Sequence, residues 1–251
     1  MHHLPLDIPP TGHLSDRALE EIYDYPSGLD RPWVQVNFVS SADGAATASG
    51  RSQGLSSPAD KKIFALGRDL CDVVLVGAGT AIVEGYQGVK HTELRTERRA
   101  RLGRPGVPPI AVVTGRCSIG PQTPMIARTE VPPIVITTEA APKDRRDDLV
   151  AADADVVIAG EETVELPRAL AALAERGLLR VCCEGGPHLF SELIAADLVD
   201  QLCLTVAPLL AGAGAPRIAE GLARPEPLDM TLASALTDDG FLMLRYRRAS
   251  S

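Results

Sequence analysis

The chain has 251 residues, a length that fits either one large domain or two small ones. Hydrophobic residues make up 45% of it and charged residues 23%, which are ordinary values for a globular protein and exclude a mainly disordered chain. The 25 basic residues are outnumbered by 33 acidic ones, and the resulting net charge of −8 argues against general binding to nucleic acid or to an anionic membrane.

The N-terminal thirty residues are rich in Pro, Asp and Tyr and contain one amphipathic stretch, residues 15–23. We expect an arm, residues 1–30, packed on a single domain, residues 31–251. The first ten residues lack the basic and apolar regions of a secretory signal. The longest charge-free stretch, residues 202–216, is shorter than the ~20 apolar residues of a membrane span. We therefore expect a cytoplasmic protein with no membrane segment.

After residue 30, short apolar runs alternate with helical patterns. The predicted strands are 33–40, 73–76, 110–114, 134–137, 156–159, 179–183, 202–207 and 242–247. The predicted helices are 57–70, 92–102, 143–151, 164–176 and 187–198. This alternation predicts an α/β fold with helices on both faces of a mostly parallel sheet. The last two strands have no helix between them, which predicts an antiparallel C-terminal edge.

The first candidate site segment is the end of the first strand, where Ser40, Ser41, Asp43 and Gly44 follow an apolar run. Ligands of open α/β sheets lie beyond the carboxyl ends of the strands, so this position suits a site. Asp-Gly after a strand is also ordinary turn chemistry, and that alternative stays open.

The second and third segments are rich in glycine and small residues. Residues 48–58 lead into a predicted helix whose Ser57-Pro58 start is a capping signal, and Arg51 and Ser52 add hydrogen-bond donors for an anion. Residues 73–80 are an apolar strand followed by a glycine turn and Thr80. This turn lacks the third glycine of a dinucleotide-binding fingerprint, because Ile82 stands there, so a classical Rossmann site is disfavoured.

The fourth segment, residues 181–190, is a strand followed by Glu184, two glycines and a helix that starts at Pro187. A carboxylate beside a helix N-terminus can bind substrate amines and hydroxyls while the helix start accepts a phosphate. The alternative is that Glu184 only caps the helix. The five cysteines lack metal-binding spacing, so we expect buried, reduced thiols and no metal site.

Together, the four segments resemble the reductase domain of riboflavin biosynthesis over roughly residues 31–248. They are Ser41-x-Asp43-Gly44, Gly50-x-Ser52-Gln53, Gly77-x-Gly79-Thr80 and Glu184-Gly185-Gly186-Pro187, in the order of that family. The chain is most similar to the stand-alone actinobacterial-type pyrimidine reductases. The resemblance implies a dihydrofolate-reductase-like, three-layer α/β/α fold and a homodimer whose interface involves the strands after Asp200.

The resemblance also implies an activity: the reduction by NADPH of 5-amino-6-(5-phosphoribosylamino)uracil to its ribityl form. The residues implied to bind NADPH are Gly54, Gly77, Gly79, Thr80, Glu84, Thr114, Gly185, Gly186, Pro187, His188, Leu189 and Phe190. Those implied to bind the substrate are Asn37, Ser41, Ser52, Arg68 and Glu184. Arg116 follows a strand in an acidic protein and is our candidate for the 2′-phosphate of NADPH. Glu184 and Asp43 are the candidate catalytic acids.

Three departures from the family pattern leave the substrate open. The zinc signature of the deaminase domain of bifunctional members is missing, so deamination is not expected. Asn37 stands where several members have Lys. Glu84-Gly85-Tyr86 replaces an acidic-acidic-Pro segment, and Lys90 or His91 is the nearest substitute for the arginine that follows it. The alternatives are a reductase of dihydrofolate or another pteridine, or a non-catalytic NADP-binding regulatory protein. The presence of Ser52, Arg68 and Glu184 argues against the non-catalytic alternative.

Overall fold

The structure, a computed structural model, describes residues 14–104, 106–224 and 226–249. Residues 1–13, which hold most of the predicted arm and the stretch examined for a secretory signal, lie outside the described residues. Within the described ranges, no helix has the length and apolar character that a membrane span requires.

The strands and helices alternate through most of the described chain. The strands are β1 (Trp33–Ser41), β2 (Val73–Gly77), β3 (Ile110–Val113), β4 (Ile134–Thr137), β5 (Asp155–Ile158), β6 (Arg180–Cys183), β7 (Gln201–Ala207), β8 (Met230–Asp238) and β9 (Phe241–Arg248). The helices are α1 (Asp16–Tyr23), α2 (Pro58–Leu70), α3 (Ala78–Val83), α4 (Glu93–Arg101), α5 (Pro124–Ala127), α6 (Lys143–Ala151), α7 (Leu166–Glu175) and α8 (Pro187–Ala195). A short 3₁₀ helix, Ser52–Leu55, precedes α2.

The strands of the described residues form one nine-stranded sheet in the order β5-β4-β3-β2-β6-β1-β7-β9-β8. Pairing is parallel from β5 to β7, and antiparallel between β7 and β9 and between β9 and β8. This confirms the predicted mixed sheet with an antiparallel C-terminal edge. The carboxyl ends of β1, β2, β3 and β6 consequently lie at the same edge of the sheet.

Apolar side chains of the strands face two separate clusters, one on each face of the sheet. Along β2, Val74 and Val76 join one cluster, whereas Val73 and Leu75 join the other. The first cluster includes Leu19 and Tyr23 of α1, and the second is closed by α7 and α8. Helices on both faces confirm the predicted three-layer arrangement. The division into an arm and one domain stays a prediction.

The adjacent cysteines of β6 follow the same alternation. Cys182 lies in the first cluster and Cys183 in the second, and all five cysteines of the chain are buried and free. Their position confirms that they are core residues. Burial raises the pKa of Cys183 to about 12, so this thiol stays protonated at neutral pH.

Strand β8 and the short helices α3 and α5 were not predicted. A bulge between Leu232 and Ser234 interrupts the period-two pattern of β8, and most of its side chains are exposed, so the strand lacks the usual apolar alternation. A tight turn follows β8 and leads into β9. Asp239 and Gly240 have φ values of 46° and 79°, which suit a two-residue hairpin turn and explain the Asp-Gly pair.

Candidate active site

A cavity of about 870 Å³ opens at the carboxyl ends of β1, β2 and β6. It brings together parts of the second, third and fourth segments, residues 37–39 of β1 just before the first segment, one face of α2 and the loop after α3. The predicted site residues that line it are Asn37, Ser52, Arg68, Gly77, Gly79, Thr80, Glu84, Glu184, Gly186, Pro187, His188 and Leu189. Those that do not are Ser41, Asp43, Gly54, Thr114, Arg116, Gly185 and Phe190.

The two glycine bends at the ends of β2 and β6 are in direct contact. The Gly77 amide donates a hydrogen bond of 2.7 Å to the Gly185 carbonyl. A Cβ atom on Gly186 would lie 2.1 Å from Thr80 Oγ1, and one on Gly185, at φ +86°, would lie 2.6 Å from the Phe38 ring. A side chain at Gly186 would collide with Thr80 of the other bend and one at Gly185 with Phe38 of β1, which explains the Gly-Gly pair.

Both bends lead straight into helices that start at the cavity. The N-cap residues are Gly77 for α3 and Gly186 for α8, and neither provides a side-chain cap. Backbone N–H groups and the helix dipole at such starts favour a bound anion. The sequence predicts a glycine turn at residues 77–80, whereas in the structure the helix begins at Ala78.

Glu184 forms the centre of a buried polar cluster on the cavity wall. Arg68 donates from Nε and Nη2 to its two carboxylate oxygens, at 2.6 and 2.7 Å, and the Tyr86 hydroxyl donates to Oε2 at 2.7 Å. The Glu184 side chain is 1% exposed and that of Arg68 18%. The carboxylate thus accepts three hydrogen bonds and faces α2 rather than α8, so the capping alternative is wrong.

The other two groups of the cluster are protonated at neutral pH. Burial lowers the pKa of Arg68, but the charge of Glu184 and its hydrogen bonds outweigh this and raise it overall. Burial and the Glu184 charge together raise the pKa of Tyr86 well above 10. The Arg68 guanidinium also lies over two rings, 4.6 Å from the centroid of Phe64 and 5.2 Å from that of Tyr86.

Tyr86 belongs to the site but is not among the residues predicted from the sequence. The available signal was the Glu84-Gly85-Tyr86 segment itself, which departs from the family pattern. Nearby, the amide and hydroxyl of Ser52 both donate to Glu84 Oε1 at 3.0 Å. This contact joins the loop before α2 to the end of α3 across the cavity mouth.

Basic side chains line the outer part of the cavity. Arg51, Lys61 and Lys90 are exposed there, and Arg95 is half-buried. Within the described ranges, neither Lys61 nor Lys90 forms an ion pair. The cavity therefore combines a backbone-lined inner wall with free positive charge nearer to solvent.

Asp43 lies outside the cavity and is engaged in holding a loop. Its carboxylate accepts hydrogen bonds from the Ser41 hydroxyl and from the amides of Ala211 and Gly212, at 3.1 and 2.8 Å for the two amides. These bonds lower its pKa to about 2, chiefly through Ser41. The position of Asp43 outside the cavity and its bonds to this loop argue against it as the catalytic acid, an assignment that stays a prediction.

The remaining predicted residues do not line the cavity. Ser41 bonds to Asp43, and Gly54 packs against Ala48. Phe190 stacks on Phe38 with a centroid distance of 5.1 Å, behind the glycine bends. Thr114 accepts a hydrogen bond of 3.0 Å from the Ser118 amide, and Arg116 is exposed beyond β3.

The sequence and the fold match known proteins. The model of the RibD C-terminal domain matches residues 32–243. A protein of Archaeoglobus fulgidus named 2,5-diamino-6-ribosylamino-4(3H)-pyrimidinone 5′-phosphate reductase is 34% identical over 76% of this chain and 87% of its own length. A protein of Methanothermobacter thermautotrophicus with the same name is 30% identical over 72% of this chain and 80% of its own length.

A solved structure from Corynebacterium diphtheriae, described as a pyrimidine reductase-like protein, superposes with a TM-score of 0.77. It is 26% identical and covers 88% of this chain and 93% of its own. The family resemblance inferred from the four segments is thus confirmed. The chain belongs to the RibD C-terminal domain family, the reductase family of riboflavin biosynthesis.

Proposed function

We propose that this protein uses NADPH to reduce a ribosylaminopyrimidine 5′-phosphate, such as 5-amino-6-(5-phosphoribosylamino)uracil, to the ribityl compound. The proposal rests on one observation: the two glycine bends and the Arg68–Glu184–Tyr86 cluster line the same cavity. The names of the two archaeal relatives support the substrate class.

The residues at the glycine bends fit a dinucleotide. Gly77, Gly79, Thr80 and the segment 186–189 offer backbone and a hydroxyl at two helix starts with no side-chain cap. Thr80 Oγ1 occupies the space beside Gly186 that a Cβ would need, so this hydroxyl and the glycine backbone lie close enough to contact one ligand together. When bound, the cofactor supplies the hydride that reduces C1′ of the open-chain sugar imine.

The polar cluster fits the pyrimidine end of the substrate. Arg68 is held by Glu184 through two of its nitrogens, which leaves Nη1 available to a carbonyl of the base. Asn37 and Ser52 line the same cavity and suit the sugar hydroxyls. The imine nitrogen becomes an amine and takes up one proton, for which Glu184 stays our candidate relay, through Tyr86 or water.

The free ammonium groups fit the 5′-phosphate. Lys61 and Lys90 line the outer cavity without an ion-pair partner among the described residues, while Arg68 is already engaged with Glu184. A phosphate there would offset both charges. Dihydrofolate also carries negative charge, on the two carboxylates of its glutamate tail, so it is the names of the two archaeal relatives that favour the phosphorylated pyrimidine.

The cofactor that we propose is NADPH rather than NADH. Arg116 is exposed just beyond β3, the neighbour of β2, on the side of the sheet edge toward which an extended dinucleotide would run. A guanidinium suits a phosphate monoester. Thr114 and the loop it holds would border the adenosine end.

A homodimer is also proposed. The β7-β9-β8 sheet carries Leu202, Leu204, Leu242, Leu244 and Tyr246 on one face, where Leu242 is 40% exposed, and Leu232 of β8 is 49% exposed beside them. An apolar face of this kind is typical of an interface. Sedimentation equilibrium at micromolar concentration tests it, with twice the chain mass expected and a monomer contradicting it.

The test of function is a substrate panel with NADPH oxidation as the readout. The panel contains 5-amino-6-(5-phosphoribosylamino)uracil, its 2,5-diamino counterpart and dihydrofolate. We expect turnover with one or both phosphorylated pyrimidines and none with dihydrofolate. Turnover of dihydrofolate alone would contradict the proposed substrate. Cofactor binding without turnover of any compound would contradict the proposed enzymatic activity.

A further inference from the structure

A network of charged side chains connects the N-terminal helix to the cavity through α2 and α4. Glu20 of α1 accepts a hydrogen bond of 2.7 Å from Arg98 Nε, and Arg98 Nη1 donates to Asp69 Oδ2. The other Asp69 oxygen accepts from Arg95 Nε at 2.5 Å. The side chains of Glu20, Asp69 and Arg98 are 8, 4 and 6% exposed. Such buried ion pairs are rigid when every partner is satisfied.

Arg95 connects this network to the cavity wall. Its side chain lines the cavity and is 12% exposed, and its Nη1 donates to the carbonyl oxygen of Lys90 at 2.5 Å. Asp69 follows Arg68 directly on α2 but does not line the cavity. One helix turn therefore presents Arg68 to the proposed substrate position and Asp69 to the network behind it.

The segment that Arg95 holds is confined from its other side as well. The Gly88 amide donates to the Arg128 carbonyl at 3.2 Å, and a Cβ on Gly88 would lie 2.6 Å from Thr129. The segment 85–91 carries Tyr86 and Lys90 and is mostly loop. Its start is held by α3, because the Tyr86 amide donates to the Ala81 carbonyl at 2.9 Å. The rest of the segment depends on the contacts of Gly88 and on the bond from Arg95 to Lys90.

We infer that Asp69 and Arg95 are positioning residues, which fix the loop carrying Tyr86 and Lys90, and that α1 takes part through Glu20. This rests on the proposed function, because the loop matters for substrate only if Lys90 meets the phosphate. Glu20 precedes residue 32, where the match to the family model begins. A helix outside that match thus contributes to the geometry of the cavity.

The variants for the test are Arg95→Gln, Asp69→Asn and Glu20→Gln, of which only the first alters the cavity wall. Arg176→Gln is the matched control. Arg176 likewise pairs its Nε with a carboxylate, Asp155, at 2.7 Å and donates to a carbonyl, that of Ala172, at 2.8 Å, and neither Arg176 nor Asp155 lines the cavity.

Two readouts are measured on the full chain: amide hydrogen exchange of the peptide covering residues 85–91, and KM against kcat for the phosphorylated pyrimidine. We expect faster exchange in Arg95→Gln and Asp69→Asn, with KM raised about tenfold and kcat changed less than about twofold. Glu20→Gln is expected to raise KM about threefold, and Arg176→Gln to change neither readout. Arg95→Lys, which keeps one donor, is expected to recover part of the loss.

The inference is overturned if Arg95→Gln and Glu20→Gln are folded and exchange at the wild-type rate in this peptide. An equal effect of Arg176→Gln, or a fall in kcat at constant KM, also overturns it. If Asp69→Asn does not fold, the other two variants decide. If the wild type shows no turnover, the proposed function fails, yet the exchange measurement still decides whether the network fixes the loop.

Discussion

The two halves of the cavity are built by different means. On one side, the glycine bends of β2 and β6 meet backbone to backbone, with a hydrogen bond between Gly77 and Gly185 and no room for a side chain at Gly186. On the other side, Glu184, Arg68 and Tyr86 form the wall through charged and polar side chains. The first half depends on steric fit, whereas the second depends on paired charges. The two should therefore respond differently to substitution.

Gly186→Ala is expected to have the largest effect. The new Cβ would lie 2.1 Å from Thr80 Oγ1, so either the Thr80 side chain must turn away or the two bends must separate, and both changes alter the cofactor side of the cavity. We expect NADPH binding to weaken more than about a hundredfold, a change of about 2.7 kcal/mol or more. Titration of NADPH followed by its fluorescence measures this.

Gly120→Ala is the control for that substitution, because a Cβ at Gly120 meets nothing within 4 Å and the residue does not line the cavity. Wild-type affinity in Gly186→Ala would show that the inner wall does not depend on steric fit.

Glu184→Gln tests the side built from charges. It keeps the shape of the side chain but leaves the buried Arg68 guanidinium without its counter-charge, which costs about 3 kcal/mol of stability in comparable pairs. We expect kcat/KM to fall about a hundredfold while NADPH affinity changes less than about threefold. Steady-state kinetics and thermal unfolding measure the two effects.

Tyr86→Phe is expected to have a smaller effect than Glu184→Gln. It removes one of the three hydrogen bonds to Glu184, which should lower the free energy of unfolding by about 1 kcal/mol. If Glu184→Gln lost cofactor affinity as strongly as substrate turnover, the two halves would not be separable.

Arg116→Gln tests whether Arg116 binds the 2′-phosphate at the adenosine end of NADPH. If Arg116 meets the 2′-phosphate, its loss lowers kcat/KM with NADPH about tenfold and leaves the value with NADH nearly unchanged. The ratio of the two rates is the measurement. Arg128→Gln, a substitution of another arginine that does not line the cavity, is the control. An unchanged ratio would remove Arg116 from cofactor recognition.

Asp43→Asn is expected to have the smallest effect on activity, within about twofold at pH 7, because Asp43 holds a loop outside the cavity. Its folded-state pKa of about 2 lies below the ordinary 3.8. The contribution of the carboxylate is therefore complete above about pH 4 and is lost as the pH falls toward 2.

Amide exchange at Ala211 and Gly212 tests this pH dependence. We expect the protection of the two amides to decrease across that window in the wild type, and to be low throughout in Asp43→Asn. A large fall in turnover at pH 7 would instead restore Asp43 as a catalytic group.

Much of the fold was predictable because buried parallel strands carry near-continuous apolar runs. Strands β2, β4 and β6 appeared in the sequence as such runs, and the Ser57 cap of α2 was predicted and accepts the Asp60 amide at 3.1 Å. Strand β8 was missed because its bulge and exposure remove the pattern. Helix α3 was missed because its six residues begin inside a glycine turn and contain little periodicity.

The candidate site was predictable only in part. The four segments were identified from their residue types, and the structure brings parts of three of them to one cavity, together with residues 37–39 just before the first segment. The partners of the polar residues were not identified. Asp43 was predicted to be a catalytic acid, but its carboxylate binds a loop far along the chain, which includes Ala211, 168 residues away.

By itself, the amino-acid sequence determined the α/β architecture, the antiparallel edge and the family, since these depend on local periodicity and on short motifs. Only the tertiary structure decided that Glu184 meets Arg68, 116 residues away, and Tyr86, 98 residues away. It also connected the N-terminal helix to the cavity through Asp69 and Arg95. The physical reason is that the partner of a charge is chosen by direction and desolvation in three dimensions, and neither leaves a periodic signal along the chain.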